Sequence, residues 1–180
     1  MISQQLIISG VGGQGILFIT RILAETAIAK GLPVLTSETH GMAQRGGIVI
    51  SHLKIGEFFG PLVRPGQADG LIALKPGNVE LHRFFLKSGG WIAANAGTAL
   101  ELAEAPEAAT VNADSIALKL GNPQAVNLIV LGRALAAGQL FCSREELEGA
   151  IRRKLAAKPA LLAGAIEALA AGYTPVATKT

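Results

Sequence analysis

The sequence predicts an α/β fold in which a doubly wound, mostly parallel sheet is followed by a helical C-terminal region. As far as Val111, short apolar runs alternate with segments of helical spacing, the pattern of strands joined by helical crossovers. Of the 180 residues, 50% are hydrophobic and only 16% are charged. Strands that are buried on both faces account for so apolar a composition. The length fits a single domain over residues 1–180.

The first part of the chain is predicted to be an ordered series of strands and helices. Gln5–Ser9 is a short apolar run that ends at Gly10, which is typical of a buried strand. From Gln14 to Lys30 apolar residues recur at helical spacing, and Gly31 is placed to end that helix. A second strand at Pro33–Ser37 completes a predicted β–α–β unit. The further predicted elements are strands at Ile48–Ile55, Gly70–Leu74, Trp91–Ala94 and Ala109–Val111, and a helix at Asn78–Lys87.

The C-terminal part, about residues 114–172, is predicted to be helical. Its helix boundaries follow from capping residues, prolines at first helical positions and glycines at helix ends. These signals are Asn122-Pro123 and Gly138 for one helix, a capping box of Ser143 with Glu146 for the next, and Pro159 with Gly172 for the last.

Composition excludes several classes of protein. The formal net charge is +3, but aromatic residues make up only 4%, whereas a nucleic-acid surface interleaves aromatics with Lys and Arg. The best apolar runs, such as Asn127–Leu131, are far shorter than the ~20 residues of a membrane span. Cys142 is the only cysteine, so the chain cannot build a disulfide or an iron–sulfur cluster, and we expect no metal site. The start lacks a basic signal region, so we expect a cytoplasmic protein. From the low aromatic content and the short apolar runs we expect that it binds neither nucleic acid nor membrane.

A glycine-rich loop lies between the first predicted strand and the first predicted helix. It contains G-x-G-x-x-G, the fingerprint of Rossmann-like dinucleotide-binding sheets, in the place where that fingerprint belongs. Glycines there make the tight turn and let the backbone approach a phosphate, while the start of the helix offers unpaired N–H groups to an anion. In the alternative interpretation the glycines serve only a tight crossover. The residues of the loop are Gly10, Val11, Gly12, Gly13, Gln14 and Gly15.

A second cluster of polar residues follows the second strand, at the edge where open α/β sheets bind ligands. Arg45 is a candidate for gripping a phosphate or carboxylate, and Gly46 with Gly47 would give close access to the backbone. Glu38 stands roughly where a ribose-binding acid is expected, or else pairs with Arg45. His40 is a candidate acid–base group or an ordinary loop hydrogen-bonder. His52 and His82 are predicted to lie on the surface of a strand and a helix.

The sequence GVGGQG at 10–15, followed by SETHGMAQRGG at 37–47, resembles the gamma subunit or domain of 2-oxoacid:ferredoxin oxidoreductases, and most of all the beta subunit of the indolepyruvate enzyme. The likeness continues through residues 69–74 and 89–95 and ends around Gly121-Asn122, Asn127 and Leu131-Gly132. In such enzymes thiamine diphosphate attacks a 2-oxoacid, electrons pass through iron–sulfur clusters to ferredoxin, and the acyl group ends on coenzyme A. The resemblance does not distinguish an indolepyruvate from a pyruvate enzyme.

The resemblance implies a subunit that binds no redox cofactor itself and is unlikely to act alone. Thiamine diphosphate, magnesium and the iron–sulfur clusters are expected in a large catalytic partner, with ferredoxin reached through the complex and a homodimer expected in isolation. No catalytic residue is assigned in this chain. Two alternatives stay open, a stand-alone Rossmann-type nucleotide-binding enzyme and a purely structural interaction module. Coenzyme A is the candidate ligand, and its candidate binding residues are Gly10, Gly12, Gly13, Gln14, Gly15, Glu38, His40, Arg45, Gly46 and Gly47.

Overall fold

The computed structural model describes residues 2–40, 46–97 and 108–174. The strands are β1 (Gln4–Val11), β2 (Val34–His40), β3 (Ile48–Ile55), β4 (Ala68–Ala73), β5 (Leu86–Asn95) and β6 (Ala109–Val111). The helices are α1 (Ile16–Ala29), α2 (Gly77–His82), α3 (Ala113–Lys119), α4 (Val126–Ala136), α5 (Arg144–Lys154) and α6 (Pro159–Tyr173). Two 3₁₀ turns, Arg83–Phe85 and Pro123–Ala125, precede β5 and α4. No helix among these described residues is both long enough and apolar enough to cross a membrane.

The strands form one sheet in the order β2-β3-β1-β4-β5-β6. The pairs β1–β4, β4–β5 and β5–β6 are parallel, whereas β3 is antiparallel to both of its neighbours, β1 and β2. All the described strands except β3 therefore run in one direction. The α/β fold class is confirmed. The predicted β1–α1–β2 unit exists, but β3 lies between its two strands.

Helices cover the two faces of the sheet unequally. One face carries a large core, in which α1, α3, α4, α5 and α6 pack against residues such as Leu6, Ile8 and Ile72. The other face has a smaller core that includes Ile7 and Leu71. There the cover consists of α2, the 3₁₀ turn before β5 and the loop between β3 and β4.

The positions of most predicted elements are confirmed, and two details are corrected. The predicted helix at Asn78–Lys87 ends at His82, because the chain turns there and β5 already begins at Leu86. Gly172 does not end the last helix but lies within α6, where its backbone packs against Ile129 of α4. The capping box of Ser143 with Glu146 is present, and Gly31 and Gly138 have the left-handed φ values (70° and 69°) of helix-ending glycines.

The prediction that His52 and His82 lie on the surface is wrong, because both face the smaller core. His52 is buried, accepts a hydrogen bond from Val63 N–H at 3.2 Å and meets the Phe85 ring edge-on. His82 is half-buried, and its Nδ1 lies 2.9 Å from the hydroxyl of Ser9. Alternating side chains of β3 face opposite sides of the sheet, and the side of His52 is covered by the loop that follows β3.

Candidate functional site

The glycine loop joins the carboxyl end of β1 to the start of α1. Gly15 is the N-cap of α1 in a left-handed conformation with φ 76°, and it has no side chain to accept from the first N–H groups of the helix. These N–H groups carry the positive end of the helix dipole. The start of α1 can therefore accept an anion, as the sequence predicts.

Hydrogen bonds within and around the loop fix its shape. The side chain of Gln14 accepts from Val11 N–H at 2.8 Å, and Gln14 N–H donates to Val11 O at 3.1 Å. Gly12 N–H donates to Gly47 O at 2.9 Å, which ties the loop to the start of β3. Asn127 of α4 donates its amide to Gly15 O at 3.2 Å. The sequence predicts Gln14 as a ligand contact, but its amide oxygen already accepts a hydrogen bond within the loop.

The glycines of the fingerprint serve different purposes. A Cβ on Gly10 would lie 3.1 Å from Cβ of Leu74, and one on Gly15 would overlap the amide of Asn127. Gly13 has φ 94° and so needs glycine for its conformation. Among the described residues Gly12 has neither reason, because its φ is not left-handed and the nearest of their atoms to an added Cβ is Gly47 O at 3.6 Å. Within the described part of the chain, neither packing nor backbone conformation explains why residue 12 has no side chain.

The second sequence cluster is only partly brought to the loop. Gly46, with φ 104°, and Gly47 lie directly beside Gly12. Glu38 of β2 pairs in the sheet with Ser51 of β3, and Ser51 pairs in turn with Ile8 of β1. With strands about 4.8 Å apart, Glu38 lies roughly 9.6 Å from β1 and two residues short of the loop's level in the sheet.

The remaining residues of that cluster are less fully placed. His40 shares a row of the sheet with Val49 and Gly10, so its backbone stands level with the start of the glycine loop. Arg45 lies outside the described residues. The ligand roles of all these residues stay predictions.

Lys75 is a candidate site residue that the sequence analysis missed. It follows β4, whose carboxyl end adjoins that of β1 through the hydrogen bond from Leu74 N–H to Ser9 O at 2.8 Å. The side chain is exposed and forms no ion pair with any residue in the described ranges. The signal that could have found it is the rule that ligands bind where parallel strands end. Lys75 follows the strand that adjoins β1 on the side away from β3, so its backbone lies on the side of the glycine loop opposite Gly47.

A buried polar network holds the segment that carries Lys75. Asn78 of α2 donates to the hydroxyl of Ser9 at 2.9 Å, and the same hydroxyl meets Nδ1 of His82 at 2.9 Å. Burial lowers the pKa of His82, an effect opposed in part by its hydrogen bond with the Asn78 carbonyl. Because Ser9 is completely buried, this Ser–His contact is not an accessible nucleophile. It anchors α2 beneath the loop.

Cys142 lies outside the site. It is buried among the helices, and burial raises the pKa of its thiol to about 12, so the sulfur stays protonated. No group of three or more His, Cys, Asp or Glu side chains that could hold a metal occurs in the described part of the chain. The arrangement at the glycine loop offers backbone N–H groups and a lysine, which suit binding of an anion rather than bond-making chemistry.

Comparison with known proteins settles the family. The model for pyruvate ferredoxin/flavodoxin oxidoreductase matches residues 5–174. The chain belongs to this family. It is 38% identical over 173 residues to the indolepyruvate oxidoreductase subunit IorB of Archaeoglobus fulgidus, covering 85% of this chain and 86% of that one. The family assignment from the two leading motifs is confirmed, and with it the prediction of an oxoacid oxidoreductase subunit.

Solved structures of the family share the fold. The gamma subunit of a keto/oxoacid ferredoxin oxidoreductase from Geobacter sulfurreducens is 25% identical with a TM-score of 0.74, over 94% of this chain and 96% of that one. A 2-oxoglutarate:ferredoxin oxidoreductase from Magnetococcus marinus, solved with coenzyme A bound, gives a TM-score of 0.81 at 20% identity. That match covers 96% of this chain but 30% of the other. The same unit therefore occurs both as a separate subunit and within a longer chain.

Proposed function

We propose that this chain is the small subunit of an indolepyruvate:ferredoxin oxidoreductase and binds no redox cofactor itself. Its support is the similarity to IorB subunits from four archaea, at 30–38% identity over 84–86% of their lengths. By contrast, the ketoisovalerate subunit VorA of Methanothermobacter thermautotrophicus is matched over only 35% of its length. The complex oxidises the 2-oxoacid to an acyl-CoA and reduces ferredoxin.

The redox cofactors belong to a large partner subunit. The residues of this chain do not fit an iron–sulfur cluster or a magnesium–thiamine diphosphate site, since its one cysteine is buried and protonated and its described acidic residues do not converge. No step of the oxidation is therefore assigned to this chain. A single unpaired cysteine also suits the reducing cytoplasm, where we place the complex.

The contribution of this chain is to bind and orient the phosphates of coenzyme A beside the partner's active site. The observation that carries this assignment is Gly12, whose lack of a side chain is required neither by its φ nor by packing against the described residues. Close approach of a ligand to the backbone is a physical reason for glycine that this geometry allows. The uncapped start of α1 and the exposed Lys75 supply donors and charge for an anion on either side of that space.

Reconstitution with the large subunit tests the proposal. Lys75→Gln removes a charge-assisted contact, so it is expected to raise KM for coenzyme A about tenfold to a hundredfold while kcat at saturating coenzyme A is retained. Gly12→Ala is expected to raise KM as well, because its Cβ would block the approach of the phosphates to the backbone. Lys119→Gln, an exposed lysine in the last turn of α3, is the matched control and should leave KM unchanged.

The outcomes separate the alternatives. An unchanged KM for coenzyme A in both Gly12→Ala and Lys75→Gln contradicts coenzyme A binding at the glycine loop. Loss of subunit association without a change in KM indicates that the loop serves only assembly. Turnover by the chain alone with NAD(P)H or ATP would contradict the role as a subunit, and assays with indolepyruvate, pyruvate and branched 2-oxoacids decide the substrate.

A further inference from the structure

A small cavity lies in the helical layer, beside the first turn of α1. Its volume is about 210 Å³, and it is lined by Phe18 of α1, by residues around the start of α4 and by residues of α6. Phe18 N–H donates to Gly15 O at 3.1 Å, and Asn127, which also lines the cavity, donates its amide to the same carbonyl at 3.2 Å. The cavity therefore adjoins the glycine loop, and we call it the α4–α6 pocket.

Most of the lining of the α4–α6 pocket is apolar. Phe18 is only partly buried, and an aromatic ring in that position offers a flat face on which another ring can stack. Leu161 is 59% exposed, so the apolar lining is accessible from solvent. The apolar lining residues in the described ranges are Phe18, Ala125, Leu128, Leu155, Leu161 and Ala165.

Two side-chain amides of the pocket have no hydrogen-bond partner among the described residues. Asn122 is the N-cap of the 3₁₀ turn before α4, but its side chain makes no capping bond. Its Nδ2 instead lies against α6, 3.4 Å from where a Cβ on Gly164 would be. Gln124, in the same turn, is exposed. Both amides are therefore free to pair with a ligand.

The size and chemistry of the pocket suit a single neutral ring system. Sites that hold a whole drug-sized molecule measure about 300–1,000 Å³, so a smaller pocket accommodates one end of a larger ligand. None of the described lining residues is charged, which disfavours a phosphate or a carboxylate as the occupant. The amides of Asn and Gln both donate to and accept from the edge of an adenine ring, and aromatic side chains stack on its face. The pocket thus combines the two contacts by which proteins bind adenine.

We propose that the α4–α6 pocket binds the adenine ring of coenzyme A. The proposal rests on the proposed function, in which the glycine loop binds the phosphates of the same molecule. The three residues from Gly15 to Phe18 rise by about 4.5 Å along α1, a distance that the ribose between phosphate and base can span. The pantetheine arm carries the thiol that must reach the partner's active site, so the adenosine end is the part that stays on this chain.

Titration calorimetry on the complex reconstituted with the large subunit tests the proposal. The ligands are coenzyme A and 4′-phosphopantetheine, which keeps the pantetheine arm and one phosphate but has no adenine. Asn122→Ala and Gln124→Ala are each expected to raise Kd for coenzyme A about tenfold, the loss of one amide–base contact, and to leave Kd for 4′-phosphopantetheine unchanged.

Gln139→Ala is the matched control. Gln139 is an exposed glutamine whose backbone carbonyl accepts from Gln4 at the start of β1, at the edge of the sheet opposite the glycine loop. Because the side chains of Asn122 and Gln124 form no hydrogen bond with the described residues, both pocket variants are expected to fold as the wild type does. Circular dichroism melts of all three variants verify this.

Weaker binding of coenzyme A in the two pocket variants, without a change for 4′-phosphopantetheine or in Gln139→Ala, supports the proposal. Unchanged coenzyme A binding in both pocket variants overturns it. If Lys75→Gln still weakens binding in that case, phosphate binding at the glycine loop stands; if Lys75→Gln has no effect either, the proposed function fails as well. Equal weakening of both ligands also overturns the adenine proposal, because the amides would then act through the shape of the glycine loop. Loss of the large subunit from the pocket variants assigns the pocket to the subunit interface and equally refutes it.

Discussion

Asn127 and Gly15 show how one contact fixes the geometry of the candidate site. The amide of Asn127 reaches the carbonyl of Gly15 because residue 15 has no side chain, and this contact seats the glycine loop on the helical layer. Gly15 is also left-handed, at φ 76°, so two separate physical reasons require glycine there.

Gly15→Ala and Gly13→Ala form a matched pair that separates these reasons. Gly13 has φ 94°, and none of the described residues comes within 4 Å of an added Cβ, so Gly13→Ala should cost only the backbone strain of about 1–2 kcal/mol. Gly15→Ala should cost about 1–3 kcal/mol more, because its Cβ displaces Asn127. Urea unfolding of both variants measures the difference. Equal losses would show that the Asn127 contact contributes nothing to stability.

At the scale of elements, α4 and α6 pack backbone against backbone. A Cβ on Gly172 would overlap the carbonyl of Ile129, and one on Gly132 would overlap that of Leu169. Gly172→Ala is therefore expected to destabilise the fold by about 1–3 kcal/mol or more through overpacking.

Gly149→Ala in α5 is the control for that substitution. Its nearest neighbour is the flexible end of Arg153 at 3.4 Å, so alanine should instead gain about 0.5–1 kcal/mol from helix propensity. Thermal unfolding of the two variants should shift in opposite directions. A Gly172→Ala protein as stable as the wild type would mean that the two helices separate without cost.

Local patterns located most elements but could not determine how they pair. The strands Ile48–Ile55 and Ala109–Val111 have the bounds predicted for them, since an apolar run is a local property. The insertion of β3 between β1 and β2 depends on nonlocal hydrogen bonds, and it moves Glu38 away from the glycine loop. Likewise, Gly172 was predicted to end a helix but instead allows close helix packing. Its neighbour in that contact is Ile129, 43 residues away in the chain, which no local pattern indicates.

For the candidate site too, local sequence predicted the contiguous part but not the residues that reach it from elsewhere in the chain. The fingerprint gave the glycine loop its correct position between β1 and α1, because strand, loop and helix are contiguous. Lys75 was missed since it reaches the loop only through the parallel pairing of β1 with β4. Asn127 entered only through the family likeness, because nothing local to α4 indicates that its amide meets Gly15.

For the whole molecule, two histidines on the smaller core couple folding to pH. Burial lowers the pKa of His52, with further lowering from Lys54 and His82, and burial also lowers the pKa of His82. Both rings begin from an ordinary value of 6.5 in the unfolded chain. Below pH 6.5 the two histidines are therefore protonated in the unfolded chain, whereas in the folded chain they stay neutral until the pH approaches their lowered pKa.

The free energy of unfolding should thus be fully retained above pH 6.5 and fall as the pH drops below it, by at most about 1.4 kcal/mol per pH unit for each ring. Glu146, whose pKa is lowered from 4.5 chiefly by its hydrogen bond with Lys30, adds a further loss only in more acidic solution. His52→Gln keeps an acceptor for Val63 N–H but removes one titrating ring, so the loss of unfolding free energy below pH 6.5 should be less steep than in the wild type. Urea unfolding at several pH values measures both slopes, and equal slopes would contradict the assignment because His52 would then not titrate with folding.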